Sequence, residues 1–311
     1  MIVTVTPNTG IDRTIQIPHF QWDSTIRANT MAVGMGGKAI DTSWVLGEMN
    51  VENTALGFAA GITGKQMENM LLEKGVKTNF TWVSGESRTN TIIINQERKA
   101  QSTITSNSLI VNPEQIGTLL ATYQLAIKNA DCVVIGGSLP SGTSNDLYTK
   151  LIQLAKKTNK PILFDASGEA LKIGLSAKPT LIKPNKDELQ EFLNKELSTF
   201  DDIIDGAAQI QKKYACIVVV TLGADGAIAV DAEKQYLIEP VKVDIQSTAG
   251  TGDAIVAGLA KAYAEHKPLI EGLRTGFAAA AAVMLTLGTA DCHLSDIQYF
   301  YDKIKIKEIN L

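Results

Sequence analysis

The second half of the chain alternates between apolar runs of strand length and segments with helical patterning. Predicted strands span residues 131–135, 161–164, 180–183 and 216–222, with two more between 227 and 243, and predicted helices span 113–128, 145–158 and 202–214, with another that begins at residue 186. Strands that alternate with helices form a mainly parallel sheet with helices on both faces. The predicted fold class is therefore α/β, a doubly wound, mainly parallel sheet.

Polar or turn residues recur directly after the predicted strands of this sheet. They are Asp12, Ser138, Asp165, Asn185 and Gly223. Open α/β sheets bind their ligands at the carboxyl ends of the strands. The sequence therefore predicts a ligand site at this edge. For Asp12, which follows a predicted strand at residues 2–6 that ends at residues 7–10, a turn-capping role is the alternative.

A glycine-rich stretch, residues 247–259, leads through Gly250, Thr251 and Gly252 into Asp253, which opens a predicted alanine-rich helix. Glycines let backbone N–H groups turn inward, and a helix start leaves N–H groups without intrahelical partners. Together they form a cup for an anion. A carboxylate beside such a cup fits a base that takes a proton from a hydroxyl while the cup holds charge on a phosphoryl group. The alternative is an ordinary helix N-terminus, where Gly, Thr and Asp are common capping residues.

A second glycine-rich stretch, residues 34–41, precedes a helix predicted to run through Leu46. As a Walker A motif it is incomplete, because Ala39 replaces the Ser or Thr that binds Mg²⁺ and Ala32 replaces the first glycine. As a dinucleotide fingerprint it does not follow the first strand of a βαβ unit. We interpret it as a loop that meets a polar ligand through its backbone, with Lys38 nearby. A tight turn for close helix packing is the alternative.

Short strands that no helix follows directly predict a small accessory sheet. They lie at residues 13–17 and 24–33, and again at 86–94 before a hairpin turn at 96–99. Arg88, at the entry to the later strand, is a candidate phosphate ligand, because a guanidinium group binds phosphate oxygens bidentately. The alternative is a solvated charge on an edge strand.

Composition excludes several classes of protein. The chain has 311 residues, of which 45% are hydrophobic and 20% charged, and its net charge is −4. This is the profile of a soluble globular protein without a basic face for nucleic acid. The three cysteines are far apart and give no metal-binding spacing or redox pair, and the longest apolar run, 277–285, is too short to span a bilayer. Because the first residues are typical of a strand rather than a leader, we expect a cytoplasmic protein of one domain, residues 1–311, with no nucleic-acid or membrane partner.

Five motifs together resemble the ribokinase-like (PfkB) family of carbohydrate kinases over essentially the whole chain. They are residues 248–258, residues 36–38 with Asp41, residues 183–188, residues 137–140 and residues 165–168. Within the family, the last two motifs in particular are similar to the branch of 1-phosphofructokinases and tagatose-6-phosphate kinases. The resemblance implies a ribokinase-like sheet with a small β-sheet lid, formed by insertions at about 12–33 and 86–106.

The resemblance implies ATP-dependent phosphoryl transfer. Asp253 would take the proton from the sugar hydroxyl, and the backbone N–H groups of Gly250, Thr251 and Gly252 would hold the transferred phosphoryl group. The residues implied for ATP are Lys183, Asn185, Thr221, Gly223, Gly226, Thr248 and, against the adenine, Ala279. Asn185 and Glu188 would act on Mg²⁺ through water, because this ion keeps much of its hydration shell.

For the sugar, the resemblance implies two groups of residues. The hydroxyls would be held by Asp12, Gly36, Gly37, Lys38 and Asp41. The phosphate already on the substrate would be held by Arg88, with Arg27 and Ser138. The lid would exclude water from the site. Edge strands of such a lid can pair between subunits, so a homodimer is a further hypothesis.

Three positions depart from the family's pattern. Ala39 stands where the family usually has Gly, and Thr251 replaces the usual Ala while keeping its backbone N–H. Asp41 replaces the Asn of the sugar-phosphate branch. A carboxylate accepts hydrogen bonds from sugar hydroxyls, but it repels a dianionic substrate. Asp41 therefore leaves an unphosphorylated substrate open.

The predicted function is an ATP-dependent kinase that transfers the γ-phosphoryl group to a hydroxyl of a ketohexose phosphate. The candidate substrates are tagatose 6-phosphate, fructose 1-phosphate and fructose 6-phosphate, each giving a bisphosphate. The alternative on the same fold is a kinase of an unphosphorylated sugar or nucleoside. From another class, a non-catalytic sensor of sugar phosphate and nucleotide has no need of a base such as Asp253. A dehydrogenase is the weakest alternative, because the chain lacks a complete dinucleotide fingerprint.

Overall fold

The computed structural model describes residues 1–309, so the last two residues of the predicted domain lie outside this range. The strands are β1 (Ile2–Asn8), β2 (Gly10–Ile17), β3 (Thr30–Gly36), β4 (Asn53–Ala59), β5 (Lys77–Thr78), β6 (Thr81–Trp82), β7 (Arg88–Asn95), β8 (Ala100–Ile104), β9 (Cys132–Gly136), β10 (Ile162–Asp165), β11 (Leu181–Ile182), β12 (Ile217–Thr221), β13 (Ala227–Val230), β14 (Gln235–Ile238) and β15 (Ile306–Ile309). The α-helices are α1 (Lys38–Glu48), α2 (Gly61–Glu73), α3 (Pro113–Ala126), α4 (Asp146–Lys156), α5 (Gly168–Leu175), α6 (Lys186–Leu193), α7 (Phe200–Tyr214), α8 (Thr251–Ala264), α9 (Leu269–Val283) and α10 (Leu294–Tyr301).

Eleven of these strands form the main sheet, in the order β15-β14-β13-β12-β11-β10-β9-β1-β4-β5, with β6 also paired to β4. The pairs from β12 across to β4 and its two short neighbours are parallel. β13, β14 and β15 extend the sheet by antiparallel pairing. The predicted α/β class with a mainly parallel sheet is therefore confirmed.

Alternating side chains of β1 supply both apolar layers of the core. Val3 and Val5 belong to the apolar cluster on one face of the sheet, whereas Ile2 belongs to the cluster on the other face, which α1, α8 and α9 cover. On that second face the hydroxyls of Thr4 and Ser43, in α1, are 2.6 Å apart. Because successive side chains of a strand point to opposite faces, one strand is packed on both sides by helices.

The accessory sheet predicted from the sequence is a separate four-stranded sheet in the order β3-β2-β7-β8. β2 pairs antiparallel with β3 and parallel with β7. The predicted strand at residues 24–33 is wrong, because β2 pairs with residues 30–36, and residues 18–29 form an irregular loop. The strands of this sheet lie within residues 10–36 and 88–104.

Three further predictions differ from the structure. β1 does not end at Pro7 but continues to Asn8, with an irregularity in its pairing that accommodates a residue without an N–H group. Asp12 consequently lies inside β2 rather than in a turn at a strand tip. Helices α5 and α10 were not predicted from the sequence. Each has 8 residues, which is too short to show a clear helical repeat of apolar residues.

Helix length also bears on membrane association. The longest helices, α7 and α9, have 15 residues each. Among residues 1–309, no helix combines the length and the apolar character needed to cross a bilayer.

Candidate active site

The predicted anion-binding loop has the backbone shape that the sequence suggests. Gly250 adopts a φ of +84° as the residue before α8, and a Cβ there would collide with the backbone nitrogen of Ala290. The Ala290 N–H donates to the carbonyl of Ala249 at 3.1 Å, which fixes the loop. α8 begins at Thr251, two residues before the predicted start, so the N–H groups of Thr251 and Gly252 lie in its first turn, where amides have no intrahelical acceptor.

Asp253 lies in this same first turn of α8. Burial raises the pKa of its carboxyl to about 7, and the negative charge of Asp165 adds to the shift, whereas Lys183 and Lys38 oppose it. The hydroxyl of Thr42, in α1, donates to the Asp253 carbonyl at 3.2 Å. A carboxyl whose pKa lies near neutral pH is suited to act as a general base.

Two lysines converge on one buried carboxylate below this loop. Nζ of Lys38 is 2.7 Å from Oδ1 of Asp165, and Nζ of Lys183 is 3.1 Å from Oδ2. Although burial acts in the opposite direction, the charges of these lysines hold the pKa of Asp165 below its usual range. Lys38 is also 3.5 Å from Oε1 of Glu188, so it contacts two carboxyl groups. From the sequence, Asp165 was predicted only to lie at the ligand edge of the sheet, with no role of its own.

A second polar cluster surrounds Asp12 in β2. Its Oδ1 accepts from the side-chain amide of Asn90 at 2.8 Å, and its Oδ2 accepts from the hydroxyl of Thr289 at 3.0 Å. Burial raises the pKa of Asp12, and both hydrogen bonds oppose that shift. Neither Asn90 nor Thr289 was predicted from the sequence. An Asn within a run of β-branched residues could have indicated Asn90, whereas no sequence pattern indicated Thr289.

Arg88 and Asp41 lie beside this cluster. Arg88 is the first residue of β7, an inner strand of the small sheet, so it is not the edge-strand charge that the alternative required. Its Nε is buried without a hydrogen-bond partner in the described chain. Burial lowers the pKa of Arg88, against the charges of Asp12 and Asp41. A guanidinium group with an unsatisfied donor can bind an anion such as a phosphate.

The glycines of the second loop leave room for these polar groups. A Cβ on Gly36 would lie 2.6 Å from Oδ1 of Asp12, and Gly37 precedes α1 with a φ of +135°.

Ser138, after β9, accepts from the side-chain amide of Asn8 at 2.9 Å. Arg27 lies on the exposed loop between β2 and β3. Among residues 1–309 it forms no ion pair or side-chain hydrogen bond, and its predicted role stays a prediction.

The residues predicted for ATP follow the neighbouring strands. Thr221 ends β12, and its N–H donates to the carbonyl of Pro184 at 3.1 Å, beside Asn185. The turn after β12 contains Gly223 and Gly226 at φ of +60° and +88°. Thr248 is exposed on the anion-binding loop. Ala279 departs from the prediction, because it is 0% exposed inside the helical layer and its side chain has no free surface for adenine.

The small sheet contacts the anion-binding loop directly. The side-chain oxygen of Gln101, in β8, accepts from the hydroxyl of Ser247 at 3.2 Å and from the N–H of Thr248 at 3.3 Å. These hydrogen bonds join the edge strand of the small sheet to the loop before α8.

The residues predicted for Mg²⁺ form the cap of α6. Oδ1 of Asn185 accepts from the Glu188 N–H at 2.8 Å, and Oε2 of Glu188 accepts from the Asn185 N–H at 2.9 Å. Within the described residues there is no group of three His, Cys, Asp or Glu side chains arranged to hold a metal. The donors are oxygens, which Mg²⁺ prefers, and their engagement in the cap fits contact through water.

The fold and the site together define a phosphotransferase with an alcohol acceptor. A model of the pfkB family carbohydrate kinases matches residues 9–296, so the chain belongs to this family, as the sequence motifs predicted. A 1-phosphofructokinase of Vibrio cholerae is 31% identical over 293 residues, which are 93% of this chain and 92% of the relative. A 1-phosphofructokinase of Bacillus subtilis is 28% identical over 99% of this chain and 100% of its own length. The crystal structure of phosphofructokinase-2 from Escherichia coli in complex with substrates and products has a TM-score of 0.91 at 30% identity, covering 97% of this chain and 98% of that one.

Proposed function

We propose that the protein is an ATP-dependent kinase that phosphorylates a hydroxyl of a ketohexose phosphate, and that this substrate is a fructose phosphate. The observation that carries the proposal is the position of Asp253, a buried carboxyl with a pKa of about 7 in the first turn of α8, beside the anion-binding loop. The relatives named 1-phosphofructokinase support the choice of sugar.

In the proposed reaction, the sugar hydroxyl gives its proton to the carboxylate of Asp253. The hydroxyl oxygen forms a bond to the γ-phosphorus while the bond from that phosphorus to the bridging oxygen of ADP breaks. The N–H groups of Gly250, Thr251 and Gly252 stabilise charge on the transferred group, as donors aimed at developing charge do. Lys183 lies against this loop and Lys38 lies nearby, and both supply positive charge. Phosphoryl transfer depends mainly on such positioning and charge stabilisation.

Mg²⁺ is proposed as the metal ion that neutralises charge on the nucleotide phosphates. Asn185 and Glu188 would hold it through water, since their side chains also cap α6. Lys38 contacts Glu188 on one side and Asp165 on the other, and it keeps the carboxylates oriented.

Arg88 is proposed to bind the phosphate already present on the sugar. Its buried Nε has no partner among the described residues, and a guanidinium in that state is costly unless an anion arrives. Asp12, held by two hydrogen bonds, is proposed to accept from sugar hydroxyls, together with the loop at Gly36 and Gly37. Ser138 is proposed to add a donor to the phosphate site.

The small sheet is proposed to act as a lid that excludes water. Its strand β8 is exposed along its length, and an exposed edge can pair with a second subunit. We therefore propose a cytoplasmic homodimer in which Arg27 of the β2–β3 loop approaches a phosphate site. Sedimentation at micromolar concentration tests the dimer, and a monomer at that concentration would contradict it.

Substitution of Arg88 tests the substrate class. Arg88→Ala should raise the KM for the fructose phosphate about 10- to 100-fold, because a hydrogen bond to a charged group contributes about 1.5–3 kcal/mol. The KM for ATP should change little. Arg98→Ala, an exposed arginine on the hairpin of the same sheet, is the matched control. The wild type and both variants are assayed against a panel of substrates, namely fructose 1-phosphate, fructose 6-phosphate, tagatose 6-phosphate, fructose, ribose and adenosine.

The outcomes of this panel separate the alternatives. Two results together would overturn the proposed substrate. They are turnover confined to an unphosphorylated sugar or nucleoside, and a KM that Arg88→Ala leaves unchanged. Binding of sugar phosphate and nucleotide without any turnover would instead favour a sensor.

A further inference from the structure

Two buried carboxyl groups lie in the first turns of two helices that contact each other, α1 and α8. Asp41 is in the first turn of α1 and Asp253 in the first turn of α8. Asp41 is only 4% exposed, and its Oδ1 has no hydrogen-bond partner within the described part of the chain. The hydroxyl of Thr42, the residue after Asp41, donates to the Asp253 carbonyl at 3.2 Å, so the first turns of α1 and α8 are in contact, and a side-chain hydrogen bond from Asp41 lowers the pKa of Asp253. Two carboxylates have no proton between them to donate, so this contact requires that one of the pair be protonated.

The charges around the pair decide which carboxyl holds the proton. Asp253 faces Lys38 of α1 and Lys183, whose positive charges favour its ionised form, although Asp165 opposes them. Asp41 faces the carboxyls of Asp253 and Asp12, with only Arg88 of β7 as a balancing charge.

Like charges in one buried site disfavour simultaneous ionisation, and such pairs lose their protons in two separated steps. Burial, followed by the charge of Asp253, raises the pKa of Asp41 well above its usual range.

We propose that Asp41 keeps its proton at neutral pH and donates it in a hydrogen bond to the carboxylate of Asp253. Asp41 is thus a positioning residue for the base and a neutral group in the sugar pocket. The role of Asp41 in turnover rests on the proposed function, whereas its protonation state does not. A neutral acid does not repel a phosphorylated sugar, so Asp41 is compatible with the substrate that Arg88 is proposed to bind.

The proton balance of the reaction follows from this arrangement. Before transfer the pair carries one proton, on Asp41, and Asp253 is ionised. The sugar hydroxyl gives its proton to Asp253, so the pair carries two protons after transfer. The additional proton leaves Asp253 to solvent as the product departs, which restores the pair.

The pH dependence of kcat/KM tests the assignment, with two substitutions of Asp41. In the wild type, activity should rise with pH as Asp253 ionises, at about pH 7. Asp41→Asn keeps a neutral donor, so the midpoint of this rise should stay within about 0.5 pH unit of the wild-type value. Asp41→Ala removes the donor to the carboxylate, so the midpoint should move up by about one unit. A downward shift of about one unit or more in Asp41→Asn would overturn the proposal, because it would mean that an ionised Asp41 had been removed.

Infrared spectroscopy of the unliganded protein tests the protonation of Asp41 independently of activity, and the spectrum of the wild type alone can overturn the proposal. Protein with ¹³C-labelled aspartate should keep a band of a protonated carboxyl at about pH 8.5, above the pKa of Asp253, and Asp41→Asn should lose it. Absence of such a band in the wild type would overturn the proposal. If the band is present but no sugar phosphate is turned over, the proposed function fails while the protonation of Asp41 stands.

Discussion

The side chain of Lys183 lies directly against Gly252, so that a Cβ at residue 252 would be 2.9 Å from Nζ of the lysine. Lys183 is 6% exposed and its Nζ is 3.1 Å from Oδ2 of Asp165. The glycine therefore lets a buried cation approach the first turn of α8, where Asp253 also lies. The first turn of α8 and a buried cation are thereby packed against each other.

Gly252→Ala should displace Lys183 and lower kcat about 10- to 100-fold, because misplacement of a catalytic group by about 1 Å can cost about 10²-fold in rate. The free energy of unfolding should fall by about 1.5–3 kcal/mol, because moving the end of the lysine weakens its buried contact with Asp165. Gly258→Ala, in the same helix, is the matched control. Its Cβ would collide with the backbone of Gly276 in α9, which should cost about 1–3 kcal/mol of stability. Wild-type kcat in Gly252→Ala would contradict the role given to Lys183.

Asp165→Asn should destabilise the protein by about 3 kcal/mol. Removing one partner from a buried ion pair leaves an uncompensated charge, which typically costs about 3–5 kcal/mol, and the partial exposure of Lys38 places this case at the lower end. Urea unfolding measures the change. Asp131→Asn, where the carboxyl pairs with the N-terminus at an exposed site, should cost less than about 1 kcal/mol. Equal effects of the two substitutions would show that the Asp165 pairs are not a buried network.

Thr289→Val should raise the KM for the sugar by about tenfold or more. Valine keeps the shape of threonine but removes the hydroxyl that donates to Asp12, and a hydrogen bond to a charged group contributes about 1.5–3 kcal/mol. Thr289→Ser retains the hydroxyl and should restore most of the affinity. Steady-state kinetics at saturating ATP make the comparison. A Ser variant as impaired as the Val variant would indicate that the methyl group, not the hydrogen bond, matters.

The raised pKa of Asp253 predicts a specific dependence of stability on pH. Its carboxyl has a pKa of about 7 in the folded protein, well above that of an aspartate in the unfolded chain, so the folded state holds the proton more tightly. This contribution is fully present below about pH 4 and is lost as the pH rises through about 7. Asp253→Asn should therefore become more stable relative to the wild type, by about 2 kcal/mol, between pH 5 and pH 7. The exposed Asp244→Asn is the control, and parallel pH profiles of Asp253→Asn and wild type would contradict the burial of an ionisable base.

The main sheet could be predicted from the sequence because its elements leave periodic signals. Apolar strands followed by polar residues indicated both the α/β class and the edge that carries Asp165 and Asn185, whereas Asp12 lies inside β2 of the small sheet. The short helices α5 and α10 have no comparable signal, and β3 was misplaced because its position depends on pairing with β2 rather than on local preference.

The site was predicted where a backbone requirement or a charge was visible. Gly250 could be identified as a loop glycine because a positive φ before a helix favours glycine, whereas the role of Asp253 stays a prediction. Thr289 could not, because its hydrogen bond to Asp12 joins residues that are 277 positions apart. Ala279 was misjudged because small residues allow close packing of helices as readily as contact with a flat ligand.

The most direct test of the proposed chemistry is Mg²⁺-dependent release of ADP from fructose 1-phosphate and fructose 6-phosphate by wild type and Asp253→Asn, with ATP affinity measured separately by calorimetry. Loss of a general base should lower kcat about 10²- to 10⁴-fold, while the dissociation constant for ATP stays within about threefold. A variant that keeps more than about a tenth of the wild-type kcat would contradict the assignment of Asp253 as the base.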